Sequence, residues 1–470
     1  MKIKAFLTDK SVHMQSVPVF ATDETMPGAL RLTPTGKEFD DFSGFGVCLT
    51  GGSCYLLEKA DEATRKKLIE NLFSTKEATE EEAAAASLKN SVDGTVCSNE
   101  SPYGLGLNVG RLCVGSNDYS AELYCYEDKD GNFSLEKDRA YVIPAIKEIL
   151  KVAPDMKLFS SPWSPPARMK SGNSLCGGYM RDKFIEEFAD YYVSYLLAMK
   201  DEGIDIFALT PQNEPGTEQQ GRMPACVWSP DQEAQFILIL SEKLKKNGLD
   251  PEIWIHDHHF AYWERVLWQF KEYPELKNVV NAVAFHYYEG SPEDVENLRE
   301  KIPYLEYHFT EGGPRLYDNY GSDWCKWGMI MARSLNHGLK SFTGFNFLLD
   351  EKGGPDISPF GCAGLVTVNS VTGNLTYSGQ YRAFAHFSRF IKRGAKILPA
   401  AITGYQATFS YSKPFIRAEG CMAVNPDGSI VVEVVNPSED KRQLTFTVNG
   451  QNYYLEVKPD SISTVILSEE

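Results

Sequence analysis

Residues 252–288 read EIWIHDHHFAYWERVLWQFKEYPELKNVVNAVAFHYY. The stretch opens on Glu252–Asp257, where Ile253, Trp254 and Ile255 form an unbroken apolar run. A short continuous run of this kind suits a strand buried on both faces. Over Ala261–Tyr273 the apolar residues Trp263, Val266, Leu267 and Phe270 recur at helical spacing, and Pro274 follows. That is one amphipathic turn after another, ended by a residue that cannot continue a helix. A second apolar run, Val279–Tyr288, then closes the unit. Strand, helix and strand in this order build a parallel sheet.

Outward from this unit the rhythm repeats. Further strands are expected over Phe42–Thr50, Leu107–Gly115, Lys157–Ser164, Phe207–Pro215, Tyr304–Gly312 and Lys340–Leu349. Helices are expected over Asp61–Phe73, Ala140–Val152, Arg181–Glu202, Pro230–Asn247 and Asp323–His337. Eight strands with helices between them fit an α/β chain folded as a (β/α)8 TIM barrel. An open doubly wound sheet is the competing arrangement, but no GxGxxG turn follows the first strand. The ends of the chain read differently. KIKAFL, SVPVF and ALRLTPT near the start, and SIVVEVVN, QLTFTVNG, NYYLEV and STVIL near the finish, are short strands between turn residues. A side β-sandwich domain formed by the N- and C-terminal segments is therefore expected. The implied division is 1–40 for its N-terminal strands, 41–392 for the barrel and 393–470 for its C-terminal part. Residues 76–103, acidic and Ala-rich, lie on an αβ connection and read as a solvated insertion on the face opposite the catalytic one.

Composition narrows the partners. A net charge of −17 repels phosphate backbones and anionic headgroups, which argues against nucleic acid and membrane surfaces. No apolar window is long enough for a transmembrane helix, so stable membrane insertion is not expected. The start, MKIKAFLTDKSVHM, lacks the apolar core of a signal peptide. Ten cysteines without CxxC pairs read as reduced thiols, and a cytoplasmic location is the expectation.

In a barrel, reactive groups sit at the C-terminal ends of the strands. The fourth strand ends in Thr210-Pro211-Gln212-Asn213-Glu214-Pro215 and the seventh in Thr310-Glu311-Gly312-Gly313. Glycoside hydrolysis needs two carboxyl groups flanking the scissile bond, one as nucleophile or base and one as acid. The bland alternative is a pair of strand-end carboxylates in salt bridges or caps. A rival set is His256-Asp257-His258-His259 with His286 one strand later, since imidazoles and carboxylates at strand ends bind metals. Neighbours on an extended strand point to opposite faces, so such a run cannot all ligate one ion. Neither a metal nor another cofactor is expected, and His258 or His259 is read as a substrate contact.

Gln212-Asn213-Glu214-Pro215 resembles the acid/base motif of the (β/α)8 retaining glycosidases. Gly44-Phe45-Gly46, Arg111, Gly115-Ser116-Asn117-Asp118-Tyr119-Ser120, Ser161-Pro162-Trp163-Ser164-Pro165-Pro166, Ala284-Phe285-His286-Tyr287-Tyr288 and Gly353-Gly354-Pro355 together resemble glycoside hydrolase family 30, the glucosylceramidase type. Tyr381–Ile391 is similar to that family's re-entry into its side sheet. The resemblance implies a retaining β-glycosidase acting by double displacement on a terminal β-linked sugar of a carbohydrate or glycolipid. A β-glucoside, either glucosylceramide-like or a β-1,6-glucan oligosaccharide, is the leading expectation; a β-xyloside, β-fucoside or β-glucuronide is the alternative. It makes Glu214 the acid/base, its pKa raised by its neighbour, and Glu311 the nucleophile. Asn213, Asp118 and Trp163 would bind sugar, Arg111 and Tyr288 (or Tyr287) would orient Glu311, and His286, Phe345 and Asn346 would complete the binding set. Three departures bear on the substrate. Thr50-Gly51-Gly52 lacks the family's acidic residue, Gly344-Phe345-Asn346 replaces Asp-Trp-Asn, and Arg315 follows the nucleophile as a candidate anchor. A metal-dependent barrel hydrolase and a catalytically silent carbohydrate-binding protein are the remaining alternatives.

Overall fold

The structure is a computed structural model, and it describes residues 2–23, 26, 28–79, 81–82, 101–357, 360–404 and 417–469. Eight parallel strands close into a barrel. They are β1 (Gly44–Leu49), β2 (Val109–Cys113), β3 (Lys157–Ser161), β4 (Ala208–Leu209), β5 (Glu252–His259), β6 (Ala282–His286), β7 (Glu306–Glu311) and β8 (Ser341–Gly344). β8 pairs with β1 from Ser341 opposite Gly44 to Gly344 opposite Val47, which leaves the barrel without a free edge. The floor of the barrel is filled by Val109, Phe159, Ala208, Trp254, Ala282 and Ala284, with Trp254 stacked on His308 at 3.8 Å between ring centroids. It is a packed core rather than a channel.

The helices of the outer ring fall on the expected segments: Glu62–Phe73, Val142–Val152, Ile185–Asp201, Pro230–Lys246, Glu264–Glu272 and Trp324–Asn336. Pro230 starts its helix cleanly because Ser229 and Gln232 form a reciprocal capping box ahead of it. One helix was not expected. Gly51–Lys59 begins directly after β1, capped by Thr50, whose Oγ1 accepts from the Ser53 amide.

Two expected strands are shorter than their apolar runs. The run Lys340–Leu349 breaks at Asn346, whose φ of 61° no strand can continue. Its second half, Leu348–Asp350, joins Val366–Val368 and Leu375–Tyr377 in a small sheet beyond the barrel. In the fourth, only Ala208 and Leu209 pair with their neighbours. Thr210–Pro215 bends over the barrel mouth, its backbone tied to Pro162 and Asp257 by the Asn213 and Glu214 amides.

The side domain is a two-layer sandwich drawn from both ends of the chain. One sheet runs Lys396–Leu398, Glu419–Val424, Ile430–Asn436, Ser461–Ser468, Lys2–Thr8, Gln15–Ser16; the other runs Ala400–Thr403, Leu30–Pro34, Arg442–Val448, Gln451–Val457, Phe20–Thr22. Leu32, Val432, Val434, Leu444, Phe446, Leu455 and Val465 fill the space between them. The helix Gly379–Phe390 docks this domain on the barrel. Its buried His386 bridges Thr464 and Thr8, each at 2.7 Å. Residues 80 and 83–100, most of the acidic insertion, lie outside the described residues.

Candidate active site

The barrel mouth holds a cavity of about 560 Å³, lined among others by Asp118, Trp163, Asn213, Glu214, Tyr288, Glu311 and Phe345. Seven of the ten residues singled out in the sequence thus meet in one place. Arg111 and His286 are also present but fully buried behind the two glutamates, so they hold carboxylates rather than a ligand. Asn346 is elsewhere. It is fully buried, and its Oδ1 accepts from Thr50 Oγ1 at 2.8 Å, because the left-handed turn that breaks the strand aims it at the Gly51–Lys59 helix. A substrate-binding role for Asn346 is corrected on that ground.

Asp257 is the centre of the site. Its Oδ2 accepts from Arg111 (2.8 Å), Thr210 (2.7 Å) and Ser161, and its Oδ1 from Thr310 (2.8 Å) and His286 Nε2 (3.0 Å). Burial raises this carboxyl, but Arg111 and His286 outweigh burial and hold it well below the usual carboxylate range. A β-bulge puts it there. β5 shifts register against β6 between Val283 and Phe285, with His256 at φ 85° and Asp257 at φ 42°. The extra residue inverts the alternation of side chains, so Asp257 faces the barrel axis while His258 and His259 both border the cavity. The alternation argument against His258 and His259 acting together therefore fails at this strand.

From Asp257 the network reaches both glutamates. Arg111 donates to Glu311 Oε2 and, at 2.8 Å, to Asn213 Oδ1, with its guanidinium 4.6 Å from the Trp163 ring. Tyr288 donates to Glu311 Oε1 at 2.9 Å, while Tyr287 packs against Phe309 and Trp327. This settles which of the two phenols meets the carboxylate. His286 Nδ1 lies 3.0 Å from Glu214 Oε1 and its Nε2 3.0 Å from Asp257. A neutral imidazole has one N–H, and here both nitrogens face carboxylate oxygens, so the ring is held as the cation. Burial opposes that charge; Glu311, Asp257 and Glu214 overcome it and push the pKa up to about 10.

Glu214 responds in the opposite direction to the expectation from its neighbour's charge. Burial raises its carboxyl, but the His286 hydrogen bond and charge, with His258 and His259 beyond, bring it down to about 2. His286 intervenes between the two glutamates, so its charge decides. Asp118, which borders the cavity, is raised well above its usual value by burial and then by Glu311 and Glu214. One contact had no sequence signal beyond a polar loop. Gln219, in a turn where it and Gln220 have φ of 51° and 54°, donates to Glu214 Oε2 at 3.0 Å.

At Gly51, the place of the missing acidic residue, a Cβ would meet only Ser120, its Oγ at 3.0 Å, whereas at the next residue, Gly52, it would come within 2.7 Å of the Pro355 carbonyl and 2.9 Å of the Tyr119 carbonyl. A Cβ on Gly344 would meet Gln380 at 3.1 Å and Phe384 at 3.2 Å, and Gln380 itself donates to the Gly312 carbonyl at 2.8 Å. At Gly51 and Gly344 alike the neighbours are side chains standing close to the glycine. Phe345 instead stacks beside Trp163, centroids 6.3 Å apart, as part of the cavity wall.

A model of the Glycosyl hydrolase family 30 TIM-barrel domain matches residues 77–391, two thirds of the chain. The protein belongs to glycosyl hydrolase family 30. The family's β-sandwich domain matches residues 420–465. Among similar proteins, Putative glucosylceramidase 4 of Caenorhabditis elegans is 24% identical over 92% of this chain and 82% of its own length. An endo-1,6-β-D-glucanase of Neurospora crassa is 26% identical over 78% of this chain and 73% of its own. The crystal structure of SrfJ from Salmonella typhimurium superposes with a TM-score of 0.85 at 24% identity, covering all of both chains. As a family 30 member the chain is a glycoside hydrolase. No helix among the described residues is long and apolar enough to cross a membrane.

Proposed function

We propose that this family 30 hydrolase cleaves β-glucosides with retention of configuration, Glu311 acting as nucleophile and Glu214 as acid/base. The observation that carries this reading is their spacing: carboxyl oxygens of Glu214 and Glu311 lie within 4.8 Å of each other and of His286. Retaining enzymes place their carboxyls roughly 5–5.5 Å apart, whereas inverting ones leave about 6.5–9.5 Å for a water. Arg111 and Tyr288 each donate to Glu311, which borders the cavity. Asn213, fixed by Arg111, and Asp118 are the sugar-binding polar groups, with Trp163 and Phe345 as the apolar wall.

The acid step needs a proton on Glu214, and the nearest is on His286 Nδ1, 3.0 Å away. Its transfer leaves the charge of the cluster unchanged and replaces an ion pair by two neutral groups. A sugar filling the cavity expels water, and lower polarity favours the neutral pair. The free enzyme thus stores the proton on His286 and the substrate calls it across. Gln219 holds the other oxygen of Glu214, Oε2, at 3.0 Å. Gln219→Ala removes a hydrogen bond to a charged group, worth about 1.5–3 kcal/mol. It is expected to lower kcat/KM roughly 10–100-fold for unactivated glucosides and far less for aryl glucosides whose leaving group needs no proton. Equal losses on both substrate types would remove Gln219 from the acid/base's support.

On the leaving-group side the cavity is bordered by Thr217, Gln219, His258, His259, Arg265 and Glu289. This hydrogen-bonding rim favours a hydrophilic aglycone, so a β-1,6-linked glucan oligosaccharide is the substrate we put forward, with a glucosylceramide-like lipid second. Nine described cysteines, all free thiols, suit a reducing, cytoplasmic setting. Hydrolysis of β-1,6-gluco-oligosaccharides followed by proton NMR is the test. The first-formed product should be the β-anomer; an α-anomer formed first would make the enzyme inverting. Turnover confined to glucosylceramide would exchange the two substrates.

A further inference from the structure

We propose that Glu214, His258 and His259 form a binding site for a divalent transition-metal ion of the Zn2+ type, and that its occupancy silences the enzyme. One donor atom from each of the three residues lies within 4.8 Å of the others. Glu214 Oε1 and His259 Nδ1 are 3.8 Å apart. Zinc binds imidazole nitrogen and carboxylate oxygen at about 2.0–2.2 Å, so an ion seated between these two atoms needs almost no movement of either.

The imidazoles are otherwise unused. His258 Nδ1 and His259 Nδ1 are buried and have no hydrogen-bond partner among the described residues, and His258 is only 3% exposed. A buried polar atom without a partner is costly, and a ligand is one way to satisfy it. The bulge at His256 and Asp257 is what brings both rings to the same side of the strand as Glu214. Glu289 and Glu311 on the same cavity favour a cation; Arg315 opposes one, and Arg265 is paired with Glu233 at 2.8 Å. Two imidazoles and one carboxylate select a borderline ion over calcium or magnesium, which take oxygen ligands. Three protein donors leave a fourth position for water. This site is not catalytic. Once Glu214 Oε1 turns from His286 to the ion, it can neither receive the stored proton nor serve the leaving group.

Binding is independent of the acid/base reading of Glu214; only the silencing rests on it. The full-length enzyme is freed of metal with EDTA and titrated with Zn2+ by calorimetry and with Co2+ by visible absorption. One equivalent should bind, Co2+ giving the intense bands of a four-coordinate site. Turnover of an unactivated β-glucoside, whose leaving group needs the proton, should fall with the same midpoint and return with EDTA. His258→Gln with His259→Gln should weaken binding at least about tenfold and shift the inhibition midpoint equally. His259→Gln alone, at the more exposed ring, should do so in part. Cys362→Ser, which removes the cavity's thiol, should leave the midpoint in place. Absence of a one-to-one complex at millimolar Zn2+, or a midpoint unmoved by the histidine changes, would overturn the site. Histidine-dependent binding with undiminished turnover would keep the site and overturn Glu214 as acid/base.

Discussion

Glu311→Gly is expected to abolish turnover, by roughly 10⁴-fold or more, while leaving the fold intact. In the proposed mechanism Glu311 forms the covalent intermediate, and glycine leaves no oxygen at that position to form it. Arg111 keeps its second partner, Asp257, at 2.8 Å, so its charge is not abandoned in the core. Azide added to this variant fits the space the side chain leaves and attacks once. The product should be the α-glucosyl azide, with inverted configuration. Glu214→Ala with azide should give the β-azide instead, because there the covalent step survives and azide only replaces water. Product configuration in the two variants, read by NMR, assigns the two roles separately. Undiminished activity in Glu311→Gly would end the double-displacement reading.

Asp257→Ala should produce the largest loss of stability in the barrel. This carboxylate accepts five hydrogen bonds and balances both Arg111 and His286. Removing one partner of a buried ion pair costs about 3–5 kcal/mol, because the surviving charge stays buried without compensation. The pH dependence carries the same signature. The folded pKa of Asp257 lies well below its ordinary value of 3.8, so its stabilisation is complete above 3.8 and fades as pH falls through the depressed value. The folded pKa of His286 is raised from 6.5 to about 10, so its stabilisation is complete below 6.5 and is lost as pH rises through 10. The contribution of this buried ion pair should therefore be complete between roughly pH 4 and 6.5, and Asp257→Ala should flatten both shoulders. Urea unfolding across that range measures it. A variant within 1 kcal/mol of the parent at every pH, taking about 1 kcal/mol as the worth of one ordinary hydrogen bond, would show that Asp257 is not the anchor described.

The barrel was legible because each of its strands is an apolar run punctuated by turn residues, and a strand buried on both faces leaves that mark. Glu214 and Glu311 were legible because a lone carboxylate ending such a run is unusual among its apolar neighbours. Asp257 was harder. A period of two places His256 and His258 together and Asp257 opposite them, and the bulge that reverses this depends on backbone angles at two residues with no glycine to betray them. Asn346 misled for a related reason, since an apolar run continues across it while the backbone turns away. The proton position also escaped. Charge repulsion between the glutamates is readable from their expected proximity, but an imidazolium placed between them is a fact of three dimensions. Gln219 belongs to a loop, where spacing carries no periodic signal.

The pairing of Lys2–Thr8 with Ser461–Ser468 sets the timetable of biosynthesis. Lys2–Thr8 must wait for Ser461–Ser468, and at about 5–20 residues per second that wait is on the order of a minute. The eight barrel strands emerge in order and can close meanwhile, each beside one already made. The opening strand, half of it destined for burial, has no partner during that interval except Gln15–Ser16. A nascent chain of this protein therefore makes its barrel strands while Lys2–Thr8 still lacks Ser461–Ser468.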